Sequence, residues 1–169
     1  MSSHLEFEQW VPFPLDHVFA FFSNPENLPR IMPTASQTKL IALNRMPPPA
    51  PPTGLPADKS AGIGSTIATS FRVFPLLPIR AQWIARITEF EWNHHFADIQ
   101  DKGPFKSWHH RHEFAAHERD GVRGTVVRDV INYEVGFSFV GRMANTLFVC
   151  RQMENTFAHR QKTLPKLLG

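Results

Sequence analysis

The spacing of apolar residues along the chain changes from strand-like to helical and back within the first 45 positions. Residues 4–11 alternate apolar and polar, which predicts a strand, because successive strand side chains point to opposite faces. In residues 15–22 apolar side chains recur every three or four positions, which predicts a helix. Residues 23–26 should end this helix and begin a second, short one that stops before Pro33, since Asn24 can cap and Pro25 suits a first helical turn.

The middle of the chain predicts about six consecutive antiparallel strands. Alternation and turn composition place these strands at Gln37 to Leu43, Gly64 to Phe74, Ile79 to Phe90, Phe96 to Gln100, about Trp108 to His117, and Gly124 to Glu134. Asp120-Gly121 between the last two is typical of a tight hairpin turn. One face of the strand at 79–90 should carry Ala81, Trp83, Ala85 and Ile87.

After Gly141 the pattern predicts one long C-terminal helix with an apolar stripe. The stripe consists of Met143, Leu147, Cys150, Met153, Phe157, Leu164 and Leu168. Pro165 is expected to end or kink this helix, because a proline inside a helix removes a backbone hydrogen bond. Such a stripe is usually core, but a long helix laid on a curved sheet can also leave a space beneath it.

Residues 44–62 differ from the rest because their central part, 47–56, is dense in proline. Prolines cannot donate to a regular ladder and favour extended polyproline geometry. We therefore expect a solvated, mobile loop. A lid over a pocket and a proline motif for a partner protein are the two alternatives.

The strand that begins near residue 107 combines aromatic and histidine side chains on one face. That face carries Trp108, His110, His112 and Phe114, and the opposite face carries Ser107, His109, Arg111 and Glu113. The two large apolar groups indicate that the first face points into the protein. His110 and His112 are then held inside, where most strands place aliphatic residues.

Three kinds of chemistry fit His110 and His112 together with Asp129 on the next strand. Two imidazoles at this spacing can meet one metal ion, with Asp129 as a further ligand. One of them can act as a general acid or base oriented by Asp129. The third possibility, which we favour, is a polar network that satisfies itself and offers a few hydrogen bonds to a ligand. Glu89, Glu91 and Asp98 form no paired-carboxylate pattern.

From these patterns we expect a set of ligand-binding residues, and we expect the site to hold neither a metal ion nor a cofactor. The set is Phe71, Trp83, Trp108, His110, His112, Asp129, Tyr133, Met153 and Phe157. The catalytic candidates within it are His110, His112 and Asp129.

The amino-acid composition limits the classes of molecule that the protein is expected to bind. The 169 residues suit a single domain, 1–169, and the 15 phenylalanines can build a core or line an apolar cavity. A net charge of +3 without a Lys/Arg run gives no indication of nucleic-acid binding. No apolar run approaches the roughly 20 residues that span a bilayer, and the first residues do not resemble a signal peptide. A single cysteine excludes an internal disulfide and suits the cytoplasm, while the oligomeric state stays open.

This order of elements resembles the helix-grip superfamily, also called SRPBCC, which groups START lipid-transfer domains, birch-pollen-allergen proteins and polyketide cyclase/dehydratase-like proteins. The likeness is strongest to small bacterial ligand-binding members and covers nearly the whole chain. Its most specific parts are Phe96 to Gln100 with Gly103-Pro104-Phe105, Trp108-x-His110-x-His112-x-Phe114, and Gly124-Thr125-x-x-x-Asp129-x-x-x-Tyr133. The proline-dense segment has no counterpart in it.

The resemblance implies an α+β fold in which a curved antiparallel sheet grips the last helix, with two short helices after the first strand and a cavity between sheet and helix. It does not imply a reaction, because only some members are enzymes. The expected function is binding of a small hydrophobic ligand, used for transport or sensing. The alternatives are a cyclase or dehydratase that uses His110 or His112 with Asp129, and an interaction module that uses 47–56.

Overall fold

The computed structural model has seven strands and three α-helices among the residues that it describes. It describes residues 2–52, 59–72, 79–136 and 139–169, and for 139–147 the backbone only. The strands are β1 (Ser3–Val11), β2 (Lys39–Asn44), β3 (Thr66–Arg72), β4 (Arg80–Glu91), β5 (His95–Lys102), β6 (Phe105–Arg119) and β7 (Val122–Val135). The α-helices are α1 (Leu15–Ser23), α2 (Leu28–Ile31) and α3 (Phe139–Leu168), and short 3-10 turns span Pro25–Asn27 and Thr34–Ser36.

The strands form one antiparallel sheet in the order β1-β7-β6-β5-β4-β3-β2. β1 and β2 are its two edges, so the sheet is not closed into a barrel. The two short α-helices follow β1, and α3 follows β7. The helix-grip expectation is therefore confirmed.

Both predictions about helix ends can be compared with the structure. Oδ1 of Asn24 accepts a hydrogen bond from the backbone N–H of Glu26 at 3.1 Å, so Asn24 is a cap as predicted. Pro165 was expected to end or kink α3; that it ends the helix is wrong, because the helix continues to Leu168, and a kink stays a prediction. A proline in the last turn removes only one helical hydrogen bond, and the buried side chains of Leu164 and Leu168 hold this turn against the core.

Regular alternation along β4 is interrupted after Ile87. Ile87 pairs with Asp98 and Glu89 pairs with Ala97, so Thr88 is an extra residue that forms a β-bulge. As a result Ile87 and Phe90, three positions apart, are both buried. The bulge bends the strand and adds to the curvature that receives the helices.

The core consists of two clusters on the inner face of the sheet. The first lies against α1, where the fully buried ring of Phe19 meets the rings of Phe90, Phe96 and Phe114 edge-on. The second lies against α3 and is built from Trp108, Ile131, Tyr133 and Phe157. Each such fully buried side chain contributes about 1.5–3 kcal/mol through removal of apolar surface from water.

The proline-dense segment is attached to the protein at its described ends. Trp92 donates its indole N–H to the carbonyl of Pro49 at 2.9 Å, and the backbone N–H of Gly62 bonds to Met46. A Cβ on Gly62 would lie 2.3 Å from the carbonyl oxygen of Pro47, so the two segments touch. The expectation of a loop mobile throughout 44–62 is thus corrected for these ends, and 53–58 lie outside the described residues.

Within the part of the chain that the structure describes, no helix is long and apolar enough to cross a membrane.

Candidate functional site

Strand register brings two carboxylates and two imidazoles together on the inner face. Across β6 and β7, His112 pairs with Asp129, and across β5 and β6, Asp98 pairs with His110. His110, His112 and Asp129 are each at least 92% buried. The prediction that the Trp108 face of β6 points inward is confirmed.

Oδ1 of Asp129 is the point where three side chains converge. Nε2 of His110 is hydrogen-bonded to it at 2.9 Å. Nδ1 of His112 lies 2.7 Å from the same oxygen, but off the line that a hydrogen bond requires. The guanidinium of Arg160 on α3 donates a long hydrogen bond to it at 3.5 Å.

These contacts set the charges of the cluster. Burial by itself would raise the pKa of Asp129, but the Arg160 guanidinium and the two imidazoles outweigh burial and hold that pKa well below its usual range. Burial lowers the pKa of both His110 and His112, so both rings favour the neutral form. Asp129 and Arg160 therefore form a buried ion pair beside two neutral imidazoles.

Asp98 lies on the other side of the two rings and is poorly paired. Its Oδ2 is 3.9 Å from Nδ1 of His110 and 3.9 Å from Nε2 of His112, beyond hydrogen-bond distance. Burial raises the pKa of this carboxyl, partly opposed by His110 and the indole N–H of Trp108. The Trp108 N–H itself is buried without a properly oriented partner among the described residues. From the sequence, Asp98 was not expected to belong to the site.

Arg160 is the second residue that the sequence did not single out. It is 92% buried on α3, between Phe157 and Leu164 of the apolar stripe. Its guanidinium carbon lies 4.6 Å from the ring centroid of Phe157 and 5.4 Å from that of Phe22. An arginine at a stripe position, three residues after Phe157 and four before Leu164, was the available signal.

A narrow cleft opens between β1, β7 and the second half of α3. Its apolar lining is Phe7, Phe22, Ile31, Val127, Phe157 and Leu164, and its polar lining is Glu8, Gln9, Asp129, Arg160 and Gln161. The cleft measures about 10 Å³, room for roughly one water molecule. Asp129 and Arg160 are among the described residues that line this cleft, whereas the imidazoles of His110 and His112 are not.

The predicted aromatic ligand contacts pack mainly against each other. Trp108, Tyr133 and Phe157 form the second core cluster, and Trp83 and Met153 pack against it. Of these five, Phe157 lines the cleft. Phe71 is half-buried on β3 opposite Ala81, and among the described residues it does not join this cluster. Their part in ligand binding stays a prediction.

Solved structures share this fold at low sequence identity. An aromatase/cyclase from Streptomyces sp. R1128 aligns with a TM-score of 0.64 and 11% identity over 99% of this chain and 94% of its own. A START superfamily protein from Mycobacterium smegmatis aligns with a TM-score of 0.62 and 14% identity, covering 98% and 96%. Norcoclaurine synthase from Thalictrum flavum aligns with a TM-score of 0.59 and 14% identity, covering 97% and 87%. At such identity these likenesses show the fold alone.

No curated protein sequence matches the chain. A family model described as polyketide cyclase/dehydrase and lipid transport matches residues 11–162, which include the sheet from the end of β1 onward and most of α3. The chain therefore belongs to the polyketide cyclase/dehydrase and lipid transport family.

Proposed function

We propose that this protein binds a small, largely apolar molecule between β1, β7 and α3, and that a hydrogen-bond-accepting end of the molecule meets Arg160. The observation on which this proposal rests is a buried guanidinium with unused donors in an apolar cleft. Membership of a family described by cyclase/dehydrase activity and lipid transport is consistent with such a ligand.

Arg160 has more donors than partners. A guanidinium carries five N–H groups, and among the described residues Arg160 uses them for one hydrogen bond, to Asp129 at 3.5 Å. The rings of Phe22 and Phe157 lie beside the guanidinium, so its surroundings on these sides are apolar. A carboxylate, sulfonate, phenolate or carbonyl oxygen from a ligand would supply the missing acceptor, and charge-assisted hydrogen bonds of this kind are the strong ones.

The cleft walls suit an apolar body for the same ligand. Six of the residues that line it are aliphatic or aromatic, as in most small-molecule sites. Its present volume of about 10 Å³ requires α3 to move away from β1 before a larger molecule can enter. The contacts that must loosen include the Gln9 side-chain amide donating to the carbonyl of Gln161 at 2.7 Å, and the Gln161 amide donating to the carbonyl of Glu8 at 3.1 Å.

The two alternatives from the sequence have less support. A cyclase or dehydratase that used His110 or His112 would need an imidazole facing the substrate, and neither imidazole is among the described residues that line the cleft. An interaction module would use the proline segment, whose described part, 47–52, is mostly exposed, but the carbonyl of Pro49 is already bonded to Trp92. The observations therefore support a binding protein above an enzyme or a docking module.

Two matched dyes test the proposal. 8-Anilinonaphthalene-1-sulfonate and N-phenyl-1-naphthylamine share one aromatic body, and the first adds a sulfonate. We expect wild type to bind both, and Arg160→Met to weaken the sulfonate probe about tenfold or more, since a hydrogen bond to a charged group contributes about 1.5–3 kcal/mol. The neutral probe should change little, because methionine keeps the apolar contact surface.

The control variant is Arg151→Met, which removes an exposed arginine from the same helix. It should leave both affinities unchanged. Because Arg160→Met leaves Asp129 unpaired, the double variant Arg160→Met/Asp129→Asn is measured as well and should show the same selective loss. No binding of either dye, an equal loss for both, or an equal effect of Arg151→Met would each contradict the proposal.

A further inference from the structure

We infer that Asp98, His110 and His112 form a binding site for a divalent transition-metal ion, separate from the Arg160 side of the cluster, with Zn²⁺ as the probe. The sequence led us to expect no metal here, because it shows no third histidine at a matching place and His109 faces the other way. One potential donor atom from each of the three residues lies within 4.8 Å of the other two. This site does not depend on the proposed hydrophobic ligand.

The orientation of the two rings is the first argument. Nε2 of His110 is hydrogen-bonded to Oδ1 of Asp129, and Nδ1 of His112 lies 2.7 Å from the same oxygen although off the hydrogen-bond line. The negative charge of this oxygen favours a proton on each of these two nitrogens. In neutral rings the other two nitrogens then carry lone pairs, and both of them face Oδ2 of Asp98. Three acceptors meet there, with no proton between either ring nitrogen and Oδ2 of Asp98, an arrangement that a cation relieves.

The distances are the second argument. Zn²⁺ binds nitrogen and carboxylate oxygen at about 2.0–2.2 Å, so two ligand atoms of a tetrahedral site are about 3.4 Å apart. The two nitrogen-to-oxygen distances are 3.9 Å, so each must shorten by about 0.5 Å. A rotation of the Asp98 side chain on β5 can shorten these two distances, and the two imidazoles, whose ligand nitrogens lie within 4.8 Å of each other, must also turn toward the ion.

Asp129 supplies the surroundings that such a site needs. Histidine ligands of metal ions nearly always donate their other ring N–H to a carboxylate or carbonyl, which fixes the tautomer and the ring orientation. Asp129 contacts the distal nitrogen of both rings, at 2.9 Å and 2.7 Å. The negative charge of Asp129 is balanced by Arg160, so Asp129 does not compete with Asp98 for the metal ion.

The indole of Trp108 is a second, independent sign of a missing ligand. It is 91% buried, and its N–H has no properly oriented partner among the described residues. The ring centroid of Trp108 lies 5.9 Å from that of His110, which places the indole beside the proposed ion. Because three protein ligands leave at least one coordination position open, a water or ligand oxygen bound there can accept from Trp108.

The donor set indicates which ions fit. Two imidazoles and one carboxylate suit Zn²⁺, Fe²⁺ or Co²⁺, whereas Mg²⁺ and Ca²⁺ prefer oxygen ligands alone. The chain has a second group of histidines around Glu89, on the outer face of the sheet, which includes His95 and His109. Arg111 also forms an ion pair with Glu89, so the negative charge of this glutamate is already balanced by a side chain of the protein.

The test is a calorimetric titration of the full chain with Zn²⁺ after treatment with a chelator. We expect one ion per chain for wild type. Asp98→Asn and His112→Gln keep the side-chain shape and should each weaken binding at least about 100-fold, since even loss of an outer partner costs 10- to 100-fold. His109→Gln, on the opposite face of the same strand, is the matched control and should bind as wild type does.

A second measurement keeps the inference testable if a ligand variant does not fold. Asp129→Asn removes no ligand and should bind Zn²⁺ 10- to 100-fold more weakly. Loading wild type with Co²⁺ should give visible d–d absorption that Asp98→Asn lacks and His109→Gln retains. Absence of saturable binding by wild type, unchanged affinity in both Asp98→Asn and Asp129→Asn, or loss of binding in His109→Gln would overturn the inference.

Discussion

The guanidinium of Arg160, on the last helix, lies 3.5 Å from Oδ1 of Asp129, on the last strand, and both side chains are more than 90% buried. This contact links α3 to the sheet at the point where both imidazoles also converge. A buried charge costs several kcal/mol unless it is paired. The stability of the helix-sheet contact and the charge of the cleft therefore depend on the same two residues.

Substitution of Asp129 should separate its charge from its ability to accept hydrogen bonds. We expect Asp129→Leu to lower the free energy of unfolding by about 3–5 kcal/mol, because it removes both the counter-charge of Arg160 and the acceptor that His110 and Arg160 use. Asp129→Asn should cost less, about 1–3 kcal/mol, because the amide oxygen still accepts from His110. Urea unfolding followed by circular dichroism measures both values.

Asp101→Leu is the control for this comparison. Asp101 forms an ion pair with Arg86 on the surface, and exposed pairs contribute little to stability. The free energy of unfolding of the Asp101→Leu protein should stay near that of wild type. Equal losses for Asp129→Leu and Asp129→Asn would mean that hydrogen-bond acceptance at position 129 contributes nothing beyond the charge, which both variants remove.

Gly62 tests the attachment of the proline segment. A Cβ at this position would lie 2.3 Å from the carbonyl oxygen of Pro47, so Gly62→Ala must push the two segments apart. We expect a loss of about 1–3 kcal/mol, typical of overpacking, together with a red shift of fluorescence as Trp92 is exposed. Gly136→Ala is the control, since its nearest atom is an ordinary 3.4 Å away. Equal effects of both variants would show that 47–49 are not held at Gly62.

Val127 tests whether the cleft is the place where an apolar molecule binds. Its buried side chain lines the cleft on β7, and Val127→Phe would fill the space. We expect the affinity for both naphthalene dyes to fall about tenfold or more, with about 1–3 kcal/mol lost in stability from overpacking. Val122→Phe, at the exposed start of the same strand, should change neither. Unchanged dye affinity in a folded Val127→Phe protein would place the binding elsewhere.

Much of the fold follows from local sequence signals. Two-residue alternation predicts the strands, and Asp120-Gly121 adopts positive φ angles of 53° and 76°, as a tight hairpin turn requires. A two-residue turn at these positions also fixes the β6–β7 register, which places His112 opposite Asp129. That half of the site was therefore predictable.

The rest of the site depends on contacts between distant segments. Asp98 faces His110 because of the β5–β6 pairing, and the sequence around Asp98 alone gives no sign that this carboxylate is buried. The position of Arg160 depends on how α3 packs on the sheet, which helical periodicity does not specify. The bulge at Thr88 also escaped prediction, since no glycine or proline marks it.

The central claim is that an apolar ligand with an acceptor end binds beside Arg160, and NMR titration with 8-anilinonaphthalene-1-sulfonate tests it most directly. The methyl groups of Ile31, Val127 and Leu164 line the cleft, whereas Ile41 and Ile63 are more than half exposed elsewhere. We predict saturable shifts of the three cleft residues and of the Arg160 side-chain N–H, with Ile41 and Ile63 unmoved. Shifts confined to Ile41 and Ile63, with the cleft methyls and Arg160 unchanged at saturation, would contradict the account.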